Sequence, residues 1–431
     1  MSAQVSFLDG TLSLIHIPLE LYPSLLQPIL KVLLPPSQDP RQSRAGSLTI
    51  EDHRHGFLNI SVTPIECSIV CNSAWAASVF EPAIKRLPES QAKAVTISKD
   101  TYIALSVYGS GMDAGSRVAD LTSPLALANI SIFFITTYYS DFILVPTKDR
   151  QAVVETLLAR DFVFSDDDGQ TNLVCGTSPT TATATTTPTT RHTHAPPPTP
   201  QTQPPAPQTT DPATITTLQQ RTFTLLQKRH ITPYLSPGLT LVQCSGIRGA
   251  VTPSHQPSAK PKPNPQARAQ QQPRAPAWVD TIDTKLYTSI VTALAAAPRF
   301  LSVTLAPDDP PALLVDRGLL GVFGDSLVGP LGVEYDDGAL VPIFLDLADL
   351  PFEAAGIVSG VAGRLVSEMG VGVVGGGGVE LSYLSTARAG AVILGRAGAK
   401  VALRVLGRLL DETAAAAAER EKEEGGKGVG G

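Results

Sequence analysis

Hydrophobic periodicity is clearest between Ser116 and Phe164. Val118, Leu121 and Leu125 recur at helical spacing, with Pro124 inside the stripe. Residues 130–136 form a run of β-branched and aromatic side chains, which suit a pleated, half-buried surface. A polar break at 138–141 and a second apolar run at 142–145 follow. Pro146 and Asp149 then open a helix whose stripe is Val153, Val154, Leu157 and Leu158. With a strand at 102–107 in front, the order is βαββα. That is most of a ferredoxin-like unit, an antiparallel sheet with helices on one face.

The pattern returns much later in the chain. LSTARAGAVIL at 384–394 aligns without a gap with 135–145, and a helix at 356–368 aligns with the helix before the first strand. Such a long-period repeat implies two copies of one supersecondary unit. Three stretches are specific: ISIFFITTYYSDFILVPTKD (130–149), TPIECSIVC (63–71) and PFEAAGIVSGVAGRL (351–365). Together they resemble the CASTOR family, cytosolic arginine sensors built from tandem ACT domains. The resemblance spans most of the chain outside its low-complexity stretches. It implies an α+β fold of tandem ACT (βαββαβ) units, antiparallel sheets with helices on one face; the repeat leads us to expect the second and fourth units to face each other, and composition to expect disordered linkers between units. It also implies a small ligand between paired units, its carboxylate held by backbone N–H groups at a helix start.

Pattern and resemblance divide the chain as follows. A first unit, 10–88, carries a strand at 11–17, a helix at 19–34 that Pro23 and Pro28 either kink or start late, strands at 57–62 and 67–71, and a helix at 74–86. The second unit is 89–164, with the ownership of 94–97 open. Residues 165–212 are rich in Thr and Pro and too poor in apolar side chains to offset chain entropy, so a disordered linker is expected. The third unit, 213–327, has a helical island at 215–228, a first strand at 239–244, a disordered insertion at 252–276, a helix at 279–296 and strands at 300–305 and 312–315. The fourth, 328–412, has strands at 343–347, 379–384 and 391–394, with helices at 356–368 and 399–410. A disordered tail at 413–431 ends the chain.

Composition narrows the function. A chain that is 43% hydrophobic and 17% charged has material for buried cores, while 37 prolines require that part of it stay irregular. A net charge of −6 argues against a nucleic-acid or anionic-membrane partner. The amino terminus, MSAQVSFLDG, has no signal-peptide pattern and no apolar run free of charges is long enough to span a bilayer, so a cytoplasmic protein is expected. Cys67 and Cys71 share one strand face and read as packing rather than metal ligands. Residues 369–378 contain a GxGxxG, but with a helix before and a strand after, the reverse of a dinucleotide loop. No HExxH or Ser/His/Asp context surrounds any of the seven histidines. The expectation is a non-enzymatic protein without cofactor or metal.

The resemblance assigns a pocket residue by residue. The family's Ser-Val falls on Ser131-Ile132 and its Gly-Ile at a helix start on Gly356-Ile357. The acid two places before that glycine falls on Ala354, with Glu353 adjacent. The Ser-Thr-Phe loop becomes Ser385-Thr386-Ala387, and the aspartate that meets the guanidinium becomes Gly390. Losing one partner of a buried ion pair costs ~3–5 kcal/mol. Arginine is therefore disfavoured against a neutral or smaller amino acid, Glu353 remaining available for the α-ammonium, and Gly390→Asp is expected to improve arginine binding. The family's partner-binding Tyr-Gln-x-Asp falls on Tyr138-Tyr139-Ser140-Asp141, which reads equally as a solvated turn. Two functions stand: an amino-acid-responsive regulator acting on TOR-pathway nutrient signalling through a protein partner, or a constitutive interaction scaffold with a retired pocket. The resemblance also admits a homodimer.

Overall fold

The structure, a computed structural model, describes residues 4–34, 56–108, 117–164, 212–246, 284–307, 309–331, 339–369 and 380–427. The sequence readings at 165–211 and 252–276 and the glycine-rich loop at 370–379 lie outside them.

The strands are β1 (Gln4–Phe7), β2 (Leu12–Pro18), β3 (Leu58–Val62), β4 (Glu66–Asn72), β5 (Thr96–Ile97), β6 (Tyr102–Tyr108), β7 (Phe133–Thr136), β8 (Asp141–Pro146), β9 (Val163–Phe164), β10 (Tyr234–Leu235), β11 (Leu241–Gly246), β12 (Leu301–Leu305), β13 (Ala312–Asp316), β14 (Leu327–Val328), β15 (Leu340–Asp346), β16 (Leu381–Ser385) and β17 (Ala389–Gly395). The principal helices are α1 (Tyr22–Leu33), α2 (73–84), α3 (Arg117–Leu127), α4 (Arg150–Leu158), α5 (Pro212–Lys228), α6 (Thr284–Ala295), α7 (Ile357–Met369) and α8 (Arg396–Lys427).

Pairing sorts the strands into four groups, ordered β5-β2-β4-β3, β9-β1-β6-β8-β7, β14-β11-β13-β12 and β10-β15-β17-β16. Instead of standing as simple tandem units, the groups join into one closed sheet of 17 strands. Group one meets group three along all five residues of β3 and β12. Group two meets group four at one register pair, Leu384↔Ile135. The ring is completed by Leu12↔Tyr102 and Leu241↔Leu340.

Strand alternation explains why a closed ring forms. Leu12 and Leu14 of β2 face the inside while Ile15 and Ile17 face the helices, so both faces of the strand are apolar and both must be covered. The ring encloses an inner core drawn from every group, including Leu14, Phe142, Phe300, Phe344 and Leu384. Two outer cores lie under helices. One packs α3, α5, α7 and α8 over groups two and four, and the other packs α1 and α6 over groups one and three. At the β3–β12 seam the inner face is polar. Asn59 Nδ2 donates to Thr304 Oγ1 (3.0 Å) and Ser61 Oγ pairs with Ser302 Oγ (2.8 Å).

Several boundaries move. Pro23 sits at the second position of α1, where its missing N–H is not needed, so the helix starts at Tyr22 rather than 19. Strand β1, unassigned by pattern, pairs with β6 of the second group. Strand β5 pairs with β2, which gives 96–97 to the first group. Helix α5 and β10, expected in the third unit, instead belong with the fourth: Phe223 and Leu226 enter its core and Tyr234 pairs with Phe344. Helix α8 continues to Lys427 through the stretch expected to be a disordered tail, because a run of alanine, glutamate and lysine carries high helix propensity. No described helix is long and apolar enough to cross a membrane.

Candidate functional site

The site lies where groups two and four meet. Their strands share a single register pair, and side chains extend the seam: Phe134 N–H donates to Ser385 Oγ (2.9 Å) and Tyr383 N–H to Thr136 Oγ1 (3.0 Å). Helices α3 and α7 cross above, linked by Ser123 Oγ and Ser359 Oγ at 3.0 Å. A Cβ on Gly363 would come within 3.0 Å of Gln219 Nε2 on α5 and only into ordinary contact with Ala119 on α3. Gly356 starts α7 at φ +85°, a conformation that favours glycine.

Between these elements is a cavity of about 50 Å³, bounded by Ile132, Phe352, Ile357, Tyr383 and the β16–β17 turn. A ligand pocket commonly measures ~300–1,000 Å³, so the cavity as it stands is small for one. Arg388, Asp346 and Thr222 side chains hold the segment 347–356, with Ala348 N–H donating to Asp346 Oδ1 (3.0 Å) and Thr222 Oγ1 to Gly356 O (3.1 Å). Arg388 lies 4.8 Å over the Phe352 ring and its Nη1 donates to Ala348 O (2.8 Å).

Of the pocket residues assigned from sequence, Ile132, Ile357, Thr386 and Ala387 line the cavity. Ser131 is buried beside Ile132, and Gly356 sits one residue before the helix. Glu353 is exposed and does not line the cavity; its charge acts instead on Tyr102, whose phenol is pushed up to about 12 by burial, then by Asp100 and Glu353. Gly390 is buried under Tyr383, and a Cβ built there would collide with the Tyr383 hydroxyl. The expectation that Gly390→Asp simply restores an acid is corrected on this ground: the room is already taken.

The β16–β17 turn is not free to close over a ligand as the sequence suggests. Thr386 Oγ1 donates to Glu66 Oε1 (2.6 Å), Arg388 N–H donates to the same oxygen (2.6 Å), and Ala387 N–H donates to Ser68 Oγ (3.0 Å). The other Glu66 oxygen lies 2.6 Å from His16 Nδ1. Glu66 is fully buried. Sequence reasoning missed Glu66, Ser68, Tyr383, Phe352 and Arg388. Glu66 did leave a signal, since an acid inside the apolar run TPIECSIVC must find partners if buried.

The turn assigned to a protein partner divides in two. Tyr139 is 55% exposed and stacks edge-on against Tyr138. Asp141 is 2% exposed, with Arg117 Nε 2.5 Å from Oδ2, so its carboxylate offers nothing to a partner. Burial pushes the Asp141 carboxyl up to about 6, against the pull of Arg117. The three described cysteines, Cys67, Cys71 and Cys244, are buried and unbridged, and among the described residues no group of His, Cys, Asp or Glu is placed to hold a metal ion.

Residues 97–159 match the family model of the ACT domain. That segment covers β6, α3, β7, β8 and α4, half of the candidate site. The chain is 32% identical over 109 residues to the human protein CASTOR3P, 23% of this chain and 61% of that one. It is 28% identical over 155 residues to rat cytosolic arginine sensor for mTORC1 subunit 1, 35% of this chain and 39% of that one. These matches thus span less than two thirds of each relative's length. Among solved structures, aspartate kinase from Synechocystis aligns over 95% of this chain and 56% of its own at 9% identity, with a TM-score of 0.28. Here the shared character is an ACT-type α+β fold with a divergent, CASTOR-like relationship.

Proposed function

We propose that this chain is a non-enzymatic regulatory protein of four ACT-type units that binds a free amino acid between its second and fourth strand groups. The observation that supports this most directly is the cavity at their seam, bounded by the start of α7, by Ile132 and by the Thr386–Ala387 turn. Backbone N–H groups at the start of a 13-residue helix suit an α-carboxylate whatever the side chain. The similarity to cytosolic arginine sensors for mTORC1 points the same way, as does the ACT match. On this reading the protein works in the cytoplasm within nutrient signalling, and the Tyr138–Tyr139 turn meets a protein partner. Arginine is disfavoured as ligand, because the place of its acid is filled by Gly390 and Tyr383.

The small cavity favours a second reading, a constitutive interaction scaffold that keeps the fold without the ligand. Thermal denaturation with a panel of free amino acids separates the two. A ligand that binds only the native state raises the midpoint; under the scaffold reading no amino acid shifts it at millimolar concentration.

A further inference from the structure

Tyr383 is the one large polar side chain in the candidate cavity whose chemistry the fold leaves unused. It stands on β16 opposite Val392, on the helix-facing side of the sheet, diagonal to Gly390. The ring packs among the apolar residues of that core and is 1% exposed. Its hydroxyl lies over the Gly390 backbone and has no hydrogen-bond partner. An orphaned buried hydroxyl is destabilising, and the apolar body of the residue would fill the same space as phenylalanine. The glycine at 390 is what admits the hydroxyl, since any Cβ there would collide with it. Gly390 and Tyr383 therefore form one arrangement, and Tyr383 is among the residues that line the cavity.

From this placement we propose that Tyr383 Oη recognises the side-chain end of the bound ligand, and that the ligand is an amino acid with an uncharged hydrogen-bonding side chain. This rests on the amino-acid-binding reading above and narrows it. A phenol both donates and accepts, so it matches a carboxamide or hydroxyl. Burial holds Tyr383 in its neutral form well above the ordinary tyrosine range, so it supplies no charge. A guanidinium or ammonium brought against it would be desolvated without a counter-ion, whereas an aliphatic end would leave the hydroxyl orphaned. Selectivity built on a buried hydrogen bond is steep, because the wrong ligand leaves the site's polar group unpaired.

The test is titration calorimetry on the full chain with glutamine, asparagine, serine, leucine and arginine, repeated on Tyr383→Phe. The expected result is binding of a carboxamide or hydroxyl amino acid in preference to leucine and arginine, with affinity falling about 10-fold or more in Tyr383→Phe. The variant without ligand should keep or exceed the wild-type melting temperature, since it removes only an unpaired atom. Preference for leucine or arginine overturns the inference, as does unchanged affinity in Tyr383→Phe, while leaving amino-acid binding intact. Binding of none of the five by the wild type overturns the inference and the amino-acid reading together. Because the wild-type preference is itself diagnostic, a misfolded variant would not shelter the proposal.

Discussion

Glu66 and Thr386 stand 320 residues apart in sequence, and the Thr386 hydroxyl donates to Glu66 Oε1 at 2.6 Å. The bond ties the β3–β4 hairpin of the first strand group to the β16–β17 turn of the fourth, the turn that lines the candidate cavity. Any opening of that cavity through its turn must therefore break hydrogen bonds to a fully buried carboxylate.

Replacing Glu66 should be costly. Glu66→Ala leaves the Arg388 N–H without its acceptor, the Thr386 hydroxyl with only Ala389 O (3.2 Å), and His16 without its partner. A loss of about 3–5 kcal/mol is expected in urea unfolding, the range for removing one member of a buried polar network. Amide hydrogen exchange at Arg388 should accelerate. Retention of wild-type protection there would show that the bond does not hold the turn.

Gly390→Asp should fail to create an arginine site. Its Cβ collides with the Tyr383 hydroxyl, so overpacking of about 1–3 kcal/mol is expected. Adding Tyr383→Phe to the same chain should recover part of that loss, because the Cβ meets the hydroxyl first and the ring stays to fill the core. The measurement is the melting temperature of both variants; a Gly390→Asp protein as stable as wild type contradicts the packing described.

Asp141 makes stability fall as pH rises. Its carboxyl is raised by burial to about 6 from 3.8 in the unfolded chain, so between about pH 4 and 6 the native state holds the proton that the unfolded state has released. Stability from this group is fully present below pH 4 and is lost as pH climbs through 6. Asp141→Asn should flatten that part of the pH profile in urea midpoints taken at pH 4, 5, 6 and 7. An unchanged slope rules the assignment out.

Gly360→Ala tests the docking of α5 on α7. A Cβ at 360 would enter the space of Thr222, whose hydroxyl also donates to Gly356 O at 3.1 Å. Destabilisation of about 1–3 kcal/mol is expected, with partial rescue by Thr222→Gly. Lack of any effect would mean that α5 does not lie against this face.

Much of the secondary structure was legible because its causes are local. The alternation that makes β8 a strand and the stripe that makes α3 a helix are properties of neighbouring residues, and the match of 384–394 to 135–145 announced the repeat. Ile132, Ile357, Thr386 and Ala387, named from the resemblance carried by those same stretches, line one cavity in the structure. Tertiary structure alone decided the rest. Nothing in the local pattern of β3 says that its edge pairs with β12, since an edge strand's partner is chosen by shape and register across the whole ring. The membership of β10 was hidden for the same reason: two residues have too little pattern to name a partner more than 100 positions away. Glu66 showed in the sequence as an acid out of place, but the Thr386 and Arg388 donors that its carboxylate accepts from lie in another strand group. Gly390 read as a lost aspartate until the diagonal neighbour was visible, because only the register of β16 on β17 brings Tyr383 over it and turns an absence into a filled position.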